Sequence, residues 1–191
     1  VIFTVDCGTL SFDAINYAKD NNVDVIVLDH HQSDVKLPNA FSIVNPNRLD
    51  DNSNLQYLCA AGVSFMFLVS LNRELRTSNW FEQNNIMEPN LIEYLDLVTL
   101  GTVCDVVPLV ELNRVIVKQG LKLLSFSKNI GLKTLMRIQG LSQDNVLESF
   151  LGFKLGPCIN AAGRIGNSRL GLDLLNEKKE TIALMQAISL Y

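Results

Sequence analysis

The chain has 191 residues, 48% of them hydrophobic and 19% charged, with a net charge of −4. That length supports a sizeable hydrophobic core, and the apolar share excludes an intrinsically disordered chain. The acidic balance excludes a globally basic nucleic-acid-binding surface, so any such contact must come from local patches or through metal ions.

In chain order, VIFTVD (1–6) is β-branched and reads as a buried strand. CGTLS is a turn, with Ser11 as N-cap of a helix over FDAINYAKD (12–20), where Phe12, Ile15, Tyr17 and Ala18 recur near helical spacing. DVIVLD (24–29) is a second strand, continuously apolar as in a parallel sheet covered on both faces. Strand, helix and strand within about thirty residues match a βαβ unit with a right-handed crossover. FSIVNP (41–46) is a third strand, ended by Pro46. Helical patterns follow at 56–76, 90–104, 111–125, 131–139, 143–151 and 168–190, with GPCINAAGRIGNS (156–168) as a Gly/Asn-rich loop. The predicted fold class is therefore α/β, a parallel sheet flanked by helices and followed by a helical segment. A strand opens the chain at once and a helical pattern is cut at Leu190-Tyr191, so a fragment of a longer protein is expected.

Cysteines stand at 7, 59, 104 and 158, without a CxxC pair. A chain with a full core needs no disulfide staples, so reduced thiols and a cytoplasmic location are expected. No segment reaches the roughly 18 unbroken apolar residues of a membrane span. The run at 58–71 is interrupted by Ser64 and Ser70 and fits a buried helix. No signal-peptide pattern is visible.

The only two histidines follow a carboxylate at the end of the second strand, in DHH (29–31). Parallel strands put Asp6 and Asp29 together at the carboxyl edge of the sheet, about 4.8 Å apart from strand to strand. Open α/β sheets bind ligands at that edge. Asp6, Asp29, His30 and His31 can therefore converge, and carboxylate plus imidazole without thiolate suits Mn²⁺, Mg²⁺ or Zn²⁺. Strand side chains alternate between faces, so in a regular strand one histidine would bind metal and the other face substrate, with Asp29 orienting an imidazole. On these residues alone, a turn or surface feature accounts for the histidine pair equally well, and an N-cap accounts for a lone aspartate.

Asp105, in GTVCDVVPL (101–109), is expected in apolar surroundings, where an unpaired carboxylate is costly. It needs a metal or an arginine, or it caps the following turn; its own residues favour the last two. In GPCINAAGRIGNSR (156–169), small residues beside Asn160, Arg164 and Arg169 suit an anion. A helix–helix connection with solvated arginines is the alternative.

VDCGT (5–9), VLDHHQ (27–32), IVNPNR (43–48), CAAGVSF (59–65), LGTVCDVVPL (100–109) and LGPCINAAGRIG (155–166) come in this order. Together they resemble the DHH family of phosphoesterases, and within it the exonucleases specific for single-stranded DNA. The resemblance implies that Asp6 bridges two divalent metals, that His30 and Asp105 ligate one of them, and that His31 contacts the scissile phosphate. It implies that Asp29 supports the histidines, that Arg164 and Asn160 hold the DNA backbone, and that Gly62 leaves room beside the site. It further implies Mn²⁺ or Mg²⁺ as cofactor, and single-stranded DNA as substrate, degraded from the 5′ end to mononucleotides. The setting would be cytoplasmic DNA repair and recombination, away from membranes and alongside other DNA-repair proteins. Two metals about 3.5–4 Å apart would activate water and neutralise the in-line transition state.

On this resemblance residues 1–125 are the rear part of the phosphoesterase domain. Residues 126–191 are a helical segment with the NAAGR loop, leading toward a second domain. The chain departs from the family at Cys158, where arginine is usual, and it lacks the family's Asp-x-Asp-Gly and Gly-Gly-His motifs. By itself it is expected to keep half a metal site and to be inactive. A phosphodiesterase of short oligonucleotides, cyclic dinucleotides or pyrophosphate, and a non-catalytic nucleic-acid-binding module, are the other readings.

Overall fold

β-Branched and apolar residues build three short strands, β1 (Ile2–Val5), β2 (Val25–Leu28) and β3 (Ser42–Val44), in a computed structural model that describes residues 1–141, 147–163 and 169–191. All are parallel, in the order β1-β2-β3. β2 is central, and its four residues are buried or half-buried, as its unbroken apolar run requires. β1 is an edge strand: Ile2, Phe3 and Val5 are about half exposed, and only Thr4 is shielded. The expectation of a buried first strand is corrected here. Apolar composition marks a strand but does not say which strand is central.

The register sets the functional edge. Val5 lies opposite Leu28, and Leu28 opposite Val44. The residues that follow, Asp6, Asp29 and Asn45, therefore stand in one row. The ladder continues into that row, with Asp6 N bonding to Leu28 O (3.0 Å) and Asp29 N to Val44 O (3.1 Å).

Helix α1 (Phe12–Asp20) returns the chain from β1 to β2 and packs Ile15 against Val25 and Val27. Ser11 occupies the N-cap position, but its amide rather than its hydroxyl closes the turn, donating to Gly8 O at 3.0 Å. Gly8 has φ +119°, and a Cβ there would stand 2.6 Å from Thr4 Oγ1 and 3.0 Å from Val27 Cγ1. Only glycine lets this turn lie so flat on the sheet. Helix α2 (Ala60–Thr77) is capped by Cys59, whose sulfur accepts from Gly62 N, and α3 (Trp80–Gln83) follows. A Cβ on Gly62 would press on Leu58 at 3.2 Å. Its bareness thus serves packing against Leu58.

The chain forms two compact units, residues 1–92 with 107–113, and residues 93–106 with 114–191. The second unit is helical. It holds α4 (Leu95–Cys104), most of α5 (Glu111–Leu124), α6 (Ile130–Ile138), α7 (Glu148–Phe150), a π-helical turn (Leu151–Leu155), α8 (Gly156–Ala161), α9 (Leu170–Asn176) and α10 (Glu180–Leu190). Its core is leucine-rich, with Leu124, Leu132, Leu135, Leu151, Leu155 and Leu174 fully buried.

Two expectations are corrected and a third is met in part. The predicted helix at 168–190 is broken after Asn176, because the Glu177 carboxylate accepts from the amides of Lys178 and Lys179 (2.8 Å each) and competes with the helical ladder. The predicted loop at 156–168 begins as helix α8, with Pro157 in its first turn, where its missing N–H is no loss. The predicted helix at 143–151 is helical from Glu148, and 142–146 lie outside the described residues. None of the four cysteines is in a disulfide. Among the described residues no helix is long and apolar enough to cross a membrane.

Gly8→Ala should cost roughly 2–3 kcal/mol, from overpacking and an unfavourable positive φ together. Urea unfolding would show it as a lower midpoint at unchanged slope.

Candidate metal centre

Where the strands stop, side chains take over the backbone's hydrogen bonding. Asp6 turns the chain at the end of β1 with φ 63°, a left-handed conformation that aspartate tolerates. Its carboxylate is largely exposed, and Asp6 Oδ1 lies 3.2 Å from His30 Nε2. β2 ends at Leu28, so the two-residue alternation of a strand does not govern positions 29–31. Both histidines consequently reach the same side. Ligand atoms of Asp6, His30 and His31 all fall within 4.8 Å of one another, and the two imidazoles meet edge to face at 4.7 Å. The expectation that a regular strand would send the histidines to opposite faces is corrected.

Asp29 is 1% exposed. Its Oδ2 accepts from Thr9 N (3.0 Å). Its Oδ1 accepts from His30 N (2.8 Å) and His31 N (3.3 Å) and meets His31 Nδ1 at 2.7 Å. Burial pushes the carboxyl upward, but the bonds from His31 and Thr9 outweigh it and hold Asp29 well below the usual carboxylate range. An ionised Asp29 accepts a hydrogen bond from His31 Nδ1 and turns Nε2 outward.

The donor set fits a divalent ion. Two adjacent ligands of an octahedral ion with bonds of about 2.1 Å stand about 3.0 Å apart, close to the 3.2 Å between Asp6 Oδ1 and His30 Nε2. One carboxylate oxygen with imidazole nitrogens, and no thiolate among them, suits a hard or borderline cation.

The remaining predicted residues lie on other elements. Asp105 caps the C-terminus of α4 in the second unit and is exposed. The expectation of apolar surroundings is corrected: the helix buries Val98, Thr99, Leu100 and Thr102, then ends at Cys104, and Asp105 leaves the core. The buried acid of that helix is Asp96, which accepts from Ser127 Oγ and from Leu97 N (2.7 Å). Val106, next to Asp105, has φ 58°, a strained conformation for a β-branched residue. Asn160 lies on α8 and is exposed. Arg164 lies outside the described residues. Cys158 is half-buried, accepts from Gln139 Nε2 at 2.9 Å, and has its thiol pushed up by burial. Arg169 pairs with Asp173 one turn away. Sequence reasoning missed Thr9, Asn45 and Asn47, which bond into the DHH segment; the IVNPNR run was the available signal.

The family model described as the DHH family, N-terminal domain, matches residues 1–102, more than half of the chain, and the chain belongs to the DHH family. Among its relatives is the single-stranded-DNA-specific exonuclease RecJ of Salmonella typhimurium, 43% identical over 176 residues, which are 92% of this chain and 30% of that protein. The crystal structure of exonuclease RecJ bound to manganese superposes with a TM-score of 0.80 at 31% identity, covering 98% of this chain and 44% of that one. The crystal structure of RecJ in complex with Mg²⁺ from Thermus thermophilus gives a TM-score of 0.68 at 30% identity, with 98% and 24% covered. The chain thus spans about 30% of the length of the curated RecJ relative.

Two outcomes are expected. Asp29 has a lowered pKa in the folded state, so its stabilisation is present above the ordinary value near 4 and is lost as pH falls below it. Asp29→Asn should therefore lose about 2 kcal/mol at pH 7, with the gap to the parent narrowing in urea titrations as pH falls below about 4. Val106→Asn should gain about 1 kcal/mol, because asparagine accepts the left-handed conformation; an unchanged urea midpoint would contradict the strain.

Proposed function

We propose that this chain carries part of the catalytic centre of a metal-dependent exonuclease that hydrolyses single-stranded DNA from its 5′ end, in cytoplasmic DNA repair and recombination. The observation that carries this reading is the convergence of Asp6, His30 and His31 at the carboxyl edge of the sheet, with Asp29 fixing the His31 tautomer. The names and metals of the RecJ relatives support the substrate and Mn²⁺ or Mg²⁺.

In this reading Asp6 and His30 hold a divalent ion, and the His31 ring faces the scissile phosphate. Asp29 keeps the His31 ring oriented and its Nδ1 protonated. When bound, the ion lowers the pKa of its water and offsets phosphoryl charge. The exposed Asp6 leaves the edge open to a chain end of DNA. Asp105 as a further ligand, and Asn160 and Arg164 as DNA-backbone contacts, belong to the same proposal, as does a division into phosphoesterase domain (1–125) and connector (126–191). So do other DNA-repair proteins as partners. The described ligand atoms suffice for one ion, and two-metal hydrolysis needs more. This chain alone is therefore expected to bind metal without cleaving.

On this chain, His30→Ala should weaken Mn²⁺ binding at least tenfold by calorimetry with an unchanged circular dichroism spectrum. In the full-length protein, Asp6→Ala should abolish Mn²⁺-dependent release of mononucleotides from a single-stranded oligonucleotide. Cleavage of pyrophosphate or cyclic dinucleotides in place of the oligonucleotide would transfer the site to a small-substrate phosphodiesterase. Binding of the oligonucleotide without cleavage would favour a non-catalytic module.

A further inference from the structure

The DHH segment leaves the sheet at Leu28, yet both of its histidines are held in one conformation. We infer that Asn45 and Asn47 are positioning residues that clamp the His30–His31 backbone so that both imidazoles face Asp6; the inference rests on reading that cluster as the metal centre.

Asn45 is the third member of the edge row and is 3% exposed. Its Nδ2 donates to His31 O (2.8 Å) and to Thr9 Oγ1 (2.9 Å). Its Oδ1 accepts from Asn47 N (2.8 Å), an Asx turn across Pro46. Asn47 Nδ2 in turn donates to His30 O (2.5 Å) and, more weakly, to Gln56 O (3.4 Å). Gln32 Nε2 donates to Asn47 Oδ1 (3.3 Å), and Ser33 Oγ to Asn47 O (3.1 Å).

The backbone of the histidine pair is thus bonded on both sides. Asp29 takes the two amides, and the two asparagines take the two carbonyls. These four bonds replace the ladder the segment has left. Thr9 joins the two halves, its amide on Asp29 Oδ2 and its hydroxyl under Asn45 Nδ2. A buried amide as fully bonded as that of Asn45 has one geometry open to it. Releasing a carbonyl frees its peptide plane to rotate, and the ring carried on it moves with it. The asparagines are not ligands. They act through the conformation of the residues that are.

The experiment compares the parent chain with Asn45→Ala and the less buried Asn47→Ala, which keeps the test open if the first variant does not fold. Mn²⁺ affinity is read by calorimetry, and amide hydrogen exchange at His30, His31 and Val27 is read without metal. The expected result is a loss of affinity of about tenfold or more, with exchange at His30 and His31 at least tenfold faster and Val27 unchanged. A purely structural role would speed Val27 as well, and that result overturns the inference. Parent-like affinity in a folded variant overturns it too. If the parent chain binds no Mn²⁺, the metal reading falls separately, and exchange decides: unchanged rates at the histidines overturn the clamp, while selectively faster rates uphold it.

Discussion

The edge of this sheet is organised by one buried charge. A carboxylate removed from water costs several kcal/mol unless donors replace its hydration. Asp29 receives four: the Thr9 amide, the His30 and His31 amides and the His31 ring nitrogen. Those donors come from the turn after β1 and from the loop after β2, and Thr9 extends the network to Asn45 after β3. Satisfying the charge and assembling the edge are the same event. The central strand cannot end in its observed place unless its neighbours end level with it.

This explains how two aspartates in equivalent positions take different work. Asp6 and Asp29 occupy the same row, one residue past paired strand ends. Asp29 lies on the central strand, is covered from both sides, and spends its oxygens on internal donors. Asp6 follows the edge strand, keeps its carboxylate largely in solvent, and stands 3.2 Å from His30 Nε2. The triplet's own carboxylate is therefore poorly placed to ligate a cation, since the atoms it would offer are already engaged. Strand order, not residue type, makes one acid a support and leaves the other available.

The strands and the first helix are legible because each has a short, strong pattern: β2 is apolar throughout, and α1 repeats Ile15 and its neighbours on one face. What the pattern could not give is which strand is central: β1, apolar but for Thr4, is the exposed edge of the described sheet. Asp105 misled for a related reason. Its neighbours in sequence are apolar, but the helix that buries them stops one residue earlier, so burial ends where the helix does. The convergence of Asp6 with the histidines followed from parallel strands alone. The reach of both histidines did not, because alternation applies only while a strand lasts. Asn45 and Asn47 were visible as a motif without a role, since nothing local announces that a side-chain amide will bond a backbone carbonyl 14 or 17 residues away.

The charge balance also bears on the proposed chemistry. A net charge of −4 and an edge carrying Asp6 would repel a polyanionic strand. Two arrangements reconcile an acidic edge with a phosphodiester: a cation held between them, or basic side chains brought over the site. The described edge row favours the first. Its outward atoms are a carboxylate oxygen and imidazole nitrogens, which can offer lone pairs to a metal.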